Sequence, residues 1–558
     1  MVPMTCQYAH VNIWSPFSGE TIVSFAPHLL PPLVVFCCQE AFLHSRHQTS
    51  DLAITFLPSV ITLVGTAQFS CHWLHDLVKM ASTTSDKTIS NSINTSPTPP
   101  LQDVTNQTLD PERGASSSKK ELINFLRGWP SPSLLSSSIL QAASTALLSD
   151  PSLSVPALQY GPDPGYQPLR EELAVWLEKQ YLTSTKSEEI CITGGASQGL
   201  ACVLASFTDP SYTQTVWASA PCYYLACPIF EDAGFGPGRI KAVPEDQQGG
   251  IDIDLLDTLL QKHEVQHHQP THKGAERKNT GPYRKHYRHV VYLVSTCSNP
   301  SGTTMTLEKR NRLVKVARRH DVLVVSDDVY DFLQWPILPA SPSSDLGPLL
   351  PRLSDIDLSL GPSEPATSSG KWFGNVISNG SFSKLLGPGL RTGWVHGTPD
   401  FVMGLSQTGA TRSGGAGSQF AAALLAEVMK AGELERHLQE TVRPGLRRRH
   451  ELIMETIKQE LGELGVAVAA QDGDRFGGYF VWLTLPGGLD ARVVAQKARQ
   501  EEELIVAEGE MFEVRGDEEG AKFRGNIRLS FSWEDEHKIT EGVRRLGRVV
   551  RGLSGETR

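Results

Sequence analysis

Nothing in this 558-residue chain pairs its cysteines. Nine are present, yet no two stand in a Cys-x-x-Cys spacing and no disulfide framework is visible, so reduced thiols and no metal site are expected. Positive charge is also short. Lys and Arg total 51 against 61 Asp and Glu, for a net charge of -10, which argues against the polyanion-binding surface that nucleic acid recognition requires. The shortage is most severe from Met1 to Met80, where Arg46 and Lys79 are the only Lys or Arg residues. An Arg-rich mitochondrial presequence and a positively charged secretory start both fit poorly. Leu52 to Phe69 is apolar but barely reaches the length of a bilayer span, and Pro58 and Gly65 interrupt it. The expectation is a mispredicted translation start, with Met80 as the true one. The expected location is cytoplasmic, with a mitochondrial one as the alternative and a membrane anchor as the minority reading.

What is present fits a large enzyme, since the length suffices for more than one domain and a sizeable core. Ala81 to Lys120 is dominated by Ser, Thr, Asn and Pro and reads as a tail that cannot fold alone. Glu121 to Leu126 begins the catalytic part, and Leu134 to Leu148 reads as a helix. Two segments look like insertions. Gln261 to Arg288 clusters His with Lys and Arg, including His267-His268, and its irregular spacing favours a solvated loop over a metal or phosphate site. Pro336 to Asn375, rich in Pro and Ser, is placed at the edge of the site without chemistry of its own.

The most informative stretch runs from Ser381 to Trp394. It sets Lys384 among Ser381, Ser383, small residues and Arg391. An amine there can hold an aldehyde cofactor as an imine while the hydroxyls and the guanidinium hold a phosphate, which is the chemistry of pyridoxal phosphate. Alone, the segment could equally be a solvated loop. Two β-branched runs add weight: His289 to Thr296 leads to Asn299-Pro300-Ser301-Gly302, and Asp321 to Val325 leads to Ser326-Asp327-Asp328-Val329-Tyr330. Ligands of open α/β sheets sit beyond the carboxyl ends of the strands, so these groups can converge on one ring. Asp327 would keep a pyridine nitrogen protonated, and Asn299 and Tyr330 would hydrogen-bond the phenolic oxygen. Isolated, Asp327 would more commonly be a helix cap and Tyr330 a core aromatic; co-occurrence with Lys384 reverses that preference. Upstream, Ile190 to Thr193 is a short apolar run, Gly194-Gly195 a turn, and Ala196-Ser197 the start of a helix whose free N–H groups can cradle an anion. By itself this is an ordinary strand-to-helix turn.

In this order the pieces resemble the class I/II aminotransferases, the fold type I pyridoxal phosphate enzymes, and within them the kynurenine/2-aminoadipate aminotransferase branch and its fungal relatives. Asn299 to Gly302, Asp327 to Gln334 and Ser381 to Lys384 with Arg391 carry the likeness, which extends from about Ile123 to about Val550. The resemblance implies an α/β fold: a large domain with a mostly parallel seven-stranded sheet and a smaller α/β C-terminal domain. On that pattern 1–120 is an extension, 121–158 a segment packing on the small domain, 159–400 the large cofactor domain and 401–558 the small domain. The likeness makes Tyr223 the aromatic that stacks on the pyridine face and Tyr160 the tyrosine that reaches the phosphate of the neighbouring subunit, hence a homodimer. It makes Arg528 the arginine for the substrate α-carboxylate, and it places Gly128 in the segment closing over the substrate. A planar guanidinium suits a carboxylate, so the physical reading of Arg528 agrees. The implied reaction is transamination between an L-amino acid and a 2-oxo acid. Its rivals are β-elimination at a C–S bond or cyclopropane-forming synthesis on the same scaffold and, remotely, a regulator without activity.

Overall fold

A computed structural model describes residues 120–266, 277–337, 347–363, 370–412, 417–469 and 475–556, with the backbone of two strands nearer the start. The chain divides into two compact units, Met1–Val104 and Thr105–Arg558. In the first, β1 (Ala53–Leu57) and β2 (Val60–Val64) pair antiparallel, with Leu57 opposite Val60 and Ala53 opposite Val64. The apolar run weighed as a bilayer span is thus a hairpin in its described part. Its β-branched residues suit strands, and Pro58 would break a helix. No helix among the described residues is long and apolar enough to cross a membrane. Of the segment read as a tail, all but Lys120 lies outside the described residues.

The second unit opens with β3 (Ile123–Asn124) and continues through β4 (Ile190–Thr193), β5 (Thr215–Ala220), β6 (Ile240–Pro244), β7 (His289–Leu293), β8 (Val322–Asp327), β9 (Gln334–Pro336), β10 (Val376–Ser381) and β11 (Gly393–His396). Seven of these form one sheet in the order β4-β11-β10-β8-β7-β5-β6. β11 alone runs antiparallel to its neighbours, so the sheet is mostly parallel, as expected. Parallel strands need cover on both faces, and the alternation of β7 and β8 supplies it. Val290 and Leu323 pack with Phe207 and Phe401 on one face, while Val291 and Val324 pack with Leu256 and Leu313 on the other. Each such side chain contributes about 1.5–3 kcal/mol on burial, which makes the strand ends a rigid platform for polar groups.

The remaining strands are β12 (Ala467–Val468), β13 (Arg475–Gly477), β14 (Phe480–Thr484), β15 (Leu504–Ile505), β16 (Ala507–Glu508) and β17 (Asn526–Ser530). Four form an antiparallel sheet, β12-β14-β17-β16; β13 pairs with β9, and β15 pairs with β3. That last pairing ties the segment around Gly128 to the C-terminal part. The chain breaks between β13 and β14 at Gly478, which has φ +72° and where a Cβ would lie 2.9 Å from that of Cys297. The expected helix Leu134 to Leu148 begins later, at Ser137, after a 3-10 turn at Pro132–Leu134. Both presumed insertions carry more order than their composition suggests. A helix runs Ile253–Gln266 into the first, whose His267-His268 lies outside the described residues. A helix Leu353–Ser359 sits in the second, held by the buried pair of Arg352 with Asp355 at 2.7 Å.

Candidate functional site

One cavity of about 260 Å³ gathers nearly every residue singled out above. Ala196, Ser197, Tyr223, Asn299, Asp327, Tyr330, Ser381, Ser383, Lys384, Arg391, Gly128 and Arg528 all line it. Tyr160 does not; it is 86% exposed. No described residue from 336 to 375 lines the cavity either, so the second insertion does not edge the site there.

Sheet topology explains the convergence. Asp327 ends β8 and Ser381 ends its neighbour β10, and the chain then turns tightly through Phe382–Lys384. The Ser381 hydroxyl accepts from the Ser383 N–H at 3.1 Å and so fixes that turn. Arg391 donates to Ser383 Oγ at 3.3 Å and to the Gly194 carbonyl at 3.2 Å, joining two loops. Gly195 must stay small there, because its φ is +103° and a Cβ would lie 2.8 Å from Arg391 Nη2. The helix Ala196–Phe207 starts beside it with no side-chain cap, which leaves its first N–H groups for an anion.

At the other end the electrostatics are unusual. Tyr292 donates to Asp327 Oδ2 at 2.8 Å, while Oδ1 is buried without a partner. Burial pushes Asp327 up to about 7, opposed by the Tyr292 hydrogen bond. Burial also lowers Lys384 to about 8, against the attraction of Asp327, and Lys384 Nζ donates to the Gly128 carbonyl at 3.1 Å. A side chain at Gly128 would displace the Phe480 ring, since a Cβ would sit 2.7 Å from Phe480 Cζ.

Arg528 lies on β17, only 2% exposed, with its guanidinium over the rings of Phe480 at 4.1 Å and Phe512 at 4.8 Å. It donates to Asn299 Oδ1 at 2.9 Å and to the Leu126 carbonyl at 2.6 Å, and its Nε is left unsatisfied. No carboxylate among the described residues is recorded as its partner, and burial lowers its pKa to about 10. A buried cation without an anion is costly. Its arrangement suits a carboxylate brought by a ligand.

The residues present fit pyridoxal phosphate. The unpaired Asp327 Oδ1 answers a protonated ring nitrogen; Lys384 offers an amine partly neutral near physiological pH; the uncapped helix start, Ser381, Ser383 and Arg391 offer donors for a phosphate. Tyr292, Trp129, Tyr224 and Phe480 also line the cavity and were not singled out from the sequence. Tyr292 lies in the strand His289 to Leu293, whose apolar neighbours disguise it as core.

Residues 154–546 match the family model described as aminotransferase class I and II. An uncharacterized protein of Saccharomyces cerevisiae is 33% identical over 453 residues, covering 78% of this chain and 98% of its own. The 2-aminoadipate transaminase of Thermus thermophilus is 29% identical over 77% of this chain and 91% of its own. Among solved structures, LysN, an alpha-aminoadipate aminotransferase of Thermus thermophilus complexed with N-(5'-phosphopyridoxyl)-L-leucine, superposes with a TM-score of 0.58 at 28% identity, covering 78% of this chain and 93% of its own.

Proposed function

The chain belongs to the class I and II aminotransferase family and is a pyridoxal phosphate-dependent aminotransferase, and we propose which residues do the work and which substrates meet them. The amino donor is an L-amino acid of 2-aminoadipate, kynurenine or aromatic type, and the acceptor is a 2-oxo acid such as 2-oxoglutarate. When bound, pyridoxal phosphate supplies an electron sink for the pair left as the Cα–H bond of the amino acid breaks. Lys384 holds the cofactor between turnovers, and its freed Nζ lifts the proton from the substrate Cα. Asp327 Oδ1 holds the proton on the ring nitrogen. Asn299, through its Nδ2, and Tyr330 donate to the phenolic oxygen, Tyr223 covers the ring face, and Ala196, Ser197, Ser381, Ser383 and Arg391 hold the phosphate. Arg528 takes the substrate α-carboxylate and so aims the Cα–H bond at Lys384.

The observation that supports this assignment most is that the half-buried Lys384 and the buried Asp327 and Arg528, far apart in the chain, share one cavity wall, with Asp327 Oδ1 and Arg528 Nε lacking partners. A panel of amino donors assayed against 2-oxoglutarate tests the reading. Oxo-acid-dependent amino transfer supports it; release of ammonia and pyruvate from sulfur amino acids without an oxo acid would favour the C–S lyase alternative.

Arg528→Ala isolates the carboxylate role. Removing one partner of a desolvated charge pair costs about 2–5 kcal/mol, so kcat/KM should fall by about 30-fold or more for every donor. The visible spectrum of the bound cofactor should barely change. Loss of cofactor with normal handling of donors would make Arg528 structural.

The exposed Tyr160 is assigned to the phosphate of the partner subunit, which makes the active form a homodimer. Deleting residues 1–79, so that translation starts at Met80, should leave an active dimer of cytoplasmic location, because every assigned residue lies after position 120. Sedimentation, activity and fractionation of both forms check this; membrane association lost on deletion would establish an anchor instead.

A further inference from the structure

The catalytic cavity has a neighbour. An apolar cavity of about 440 Å³ is walled by Leu135, Leu140, Leu386, Leu390 and Trp533, and Trp129 and Pro388 line both cavities. Among the described residues, no ionisable side chain lines the second one. Ser136 and Ser137 supply side-chain hydroxyls to it.

The segment from Leu126 to Trp129 bends around Asn124, whose Oδ1 accepts from the Leu126 and Arg127 N–H groups, and brings Leu126, Gly128 and Trp129 into the catalytic wall. Arg528 is anchored at the Leu126 carbonyl and Lys384 at the Gly128 carbonyl. A donor with its carboxylate at Arg528 and its amino group at Lys384 is held against this segment, and Trp129 is a wall that the catalytic cavity shares with the second one.

We infer that the second cavity receives the donor's side chain and selects large apolar, above all aromatic, amino acids over those with a second carboxylate. The inference rests on the amino-transfer reading and narrows its donor class. Every cation in the catalytic wall already has work: Arg528 takes the α-carboxylate, Lys384 is the reacting amine, and Arg391 sits at the phosphate end. Among the described residues, Arg127 stacks on Trp129 at 4.9 Å and Trp533 at 5.3 Å but lines neither cavity. Its charge thus fixes the two indoles, which meet edge to face at 5.5 Å, and they, not the guanidinium, face the ligand. A side-chain carboxylate entering this annex would meet no cation among the described residues, whereas an aromatic ring would cover leucines and indoles.

The test uses the holoenzyme and follows the cofactor's visible spectrum during the half-reaction with each donor, so no acceptor need be known. Phenylalanine and tryptophan should exceed 2-aminoadipate in kcat/KM by at least ~10-fold, within the range that pocket contacts give. Ser137, exposed at the annex rim and outside the catalytic wall, offers the matching variant. Ser137→Phe should lower kcat/KM for the aromatic donors by about 10-fold or more and leave alanine within about 2-fold. The inference is overturned if 2-aminoadipate equals phenylalanine, or if Ser137→Phe lowers alanine and phenylalanine alike, which would mark the annex as a subunit contact. If alanine and every other donor are inert in the parent enzyme, the amino-transfer reading falls and this inference with it.

Discussion

Replacing Lys384 with alanine is expected to lower turnover by at least ~10²–10⁴-fold, the scale of a lost general base, and to abolish covalent retention of the cofactor. The purified parent protein should be yellow, and borohydride should fix the cofactor to a peptide containing Lys384. Labelling of another lysine would refute the assignment. The pH dependence sharpens the test. An amine attacks an aldehyde only when neutral, and burial has brought Lys384 down to about 8. Below that value the ammonium dominates; above it the free amine does. The rate at which apoenzyme captures pyridoxal phosphate should therefore rise with pH through about 8 and level off, whereas a solvent-exposed lysine would keep accelerating towards 10 and beyond. The depression comes from desolvation working against Asp327, so it belongs to this pocket and not to the residue type.

How much of this was legible in the chain depends on how local each relation is. Lys384 with its serines and Arg391 is one short string, and Asp327 closes an apolar run, so residue type and position at a strand end were enough to nominate them. Arg528, Tyr223 and Tyr160 could be named only through the family resemblance, because a lone arginine or tyrosine carries no spacing signal. The pairings that give the site its properties were hidden. Tyr292 and Asp327 stand 35 residues apart, and Lys384 and Gly128 stand 256 apart; each meeting is made by the order of strands, which single segments do not reveal. At Pro336 to Asn375, read as an insertion edging the site, Pro and Ser gave no sign of the helix Leu353–Ser359. Arg352 buries its guanidinium on Asp355 and over the ring of Tyr181 at 4.5 Å, holding a helix within a polar segment. Likewise Leu52 to Phe69 has the apolarity of a short span, but β-branched residues on either side of Pro58 make strands.

Asp327→Asn should keep much of the cofactor and lose most turnover, by about 10–10³-fold. The range follows from charge: an opposite charge nearby moves a pKa by about 1–3 units, and the amide removes it. In the protein as it stands, burial, with repulsion from Asp328 added, drives Asp327 up to about 7 against the Tyr292 hydrogen bond and the attraction of Lys384. A protonated ring nitrogen beside Oδ1 would reverse that, holding the carboxylate ionised and itself protonated by the same attraction. Asparagine keeps the shape and can still accept from Tyr292, so the phosphate and Lys384 anchors continue to hold the cofactor. Asp328→Asn is the control. That carboxylate is turned away into β8, where Oδ1 accepts from Ser326 at 2.5 Å and Ser295 at 3.0 Å, and it does not line the cavity. Its loss should lower stability more than turnover. Titrating the absorbance of the bound cofactor reads the difference directly: the Asp327 variant should shift that titration, and the Asp328 variant should leave it close to the parent. Equal activity of Asp327→Asn and the parent would move the electron-sink role to another residue. Equal loss in both variants would make the two carboxylates a single buried unit rather than one catalytic group and one structural neighbour.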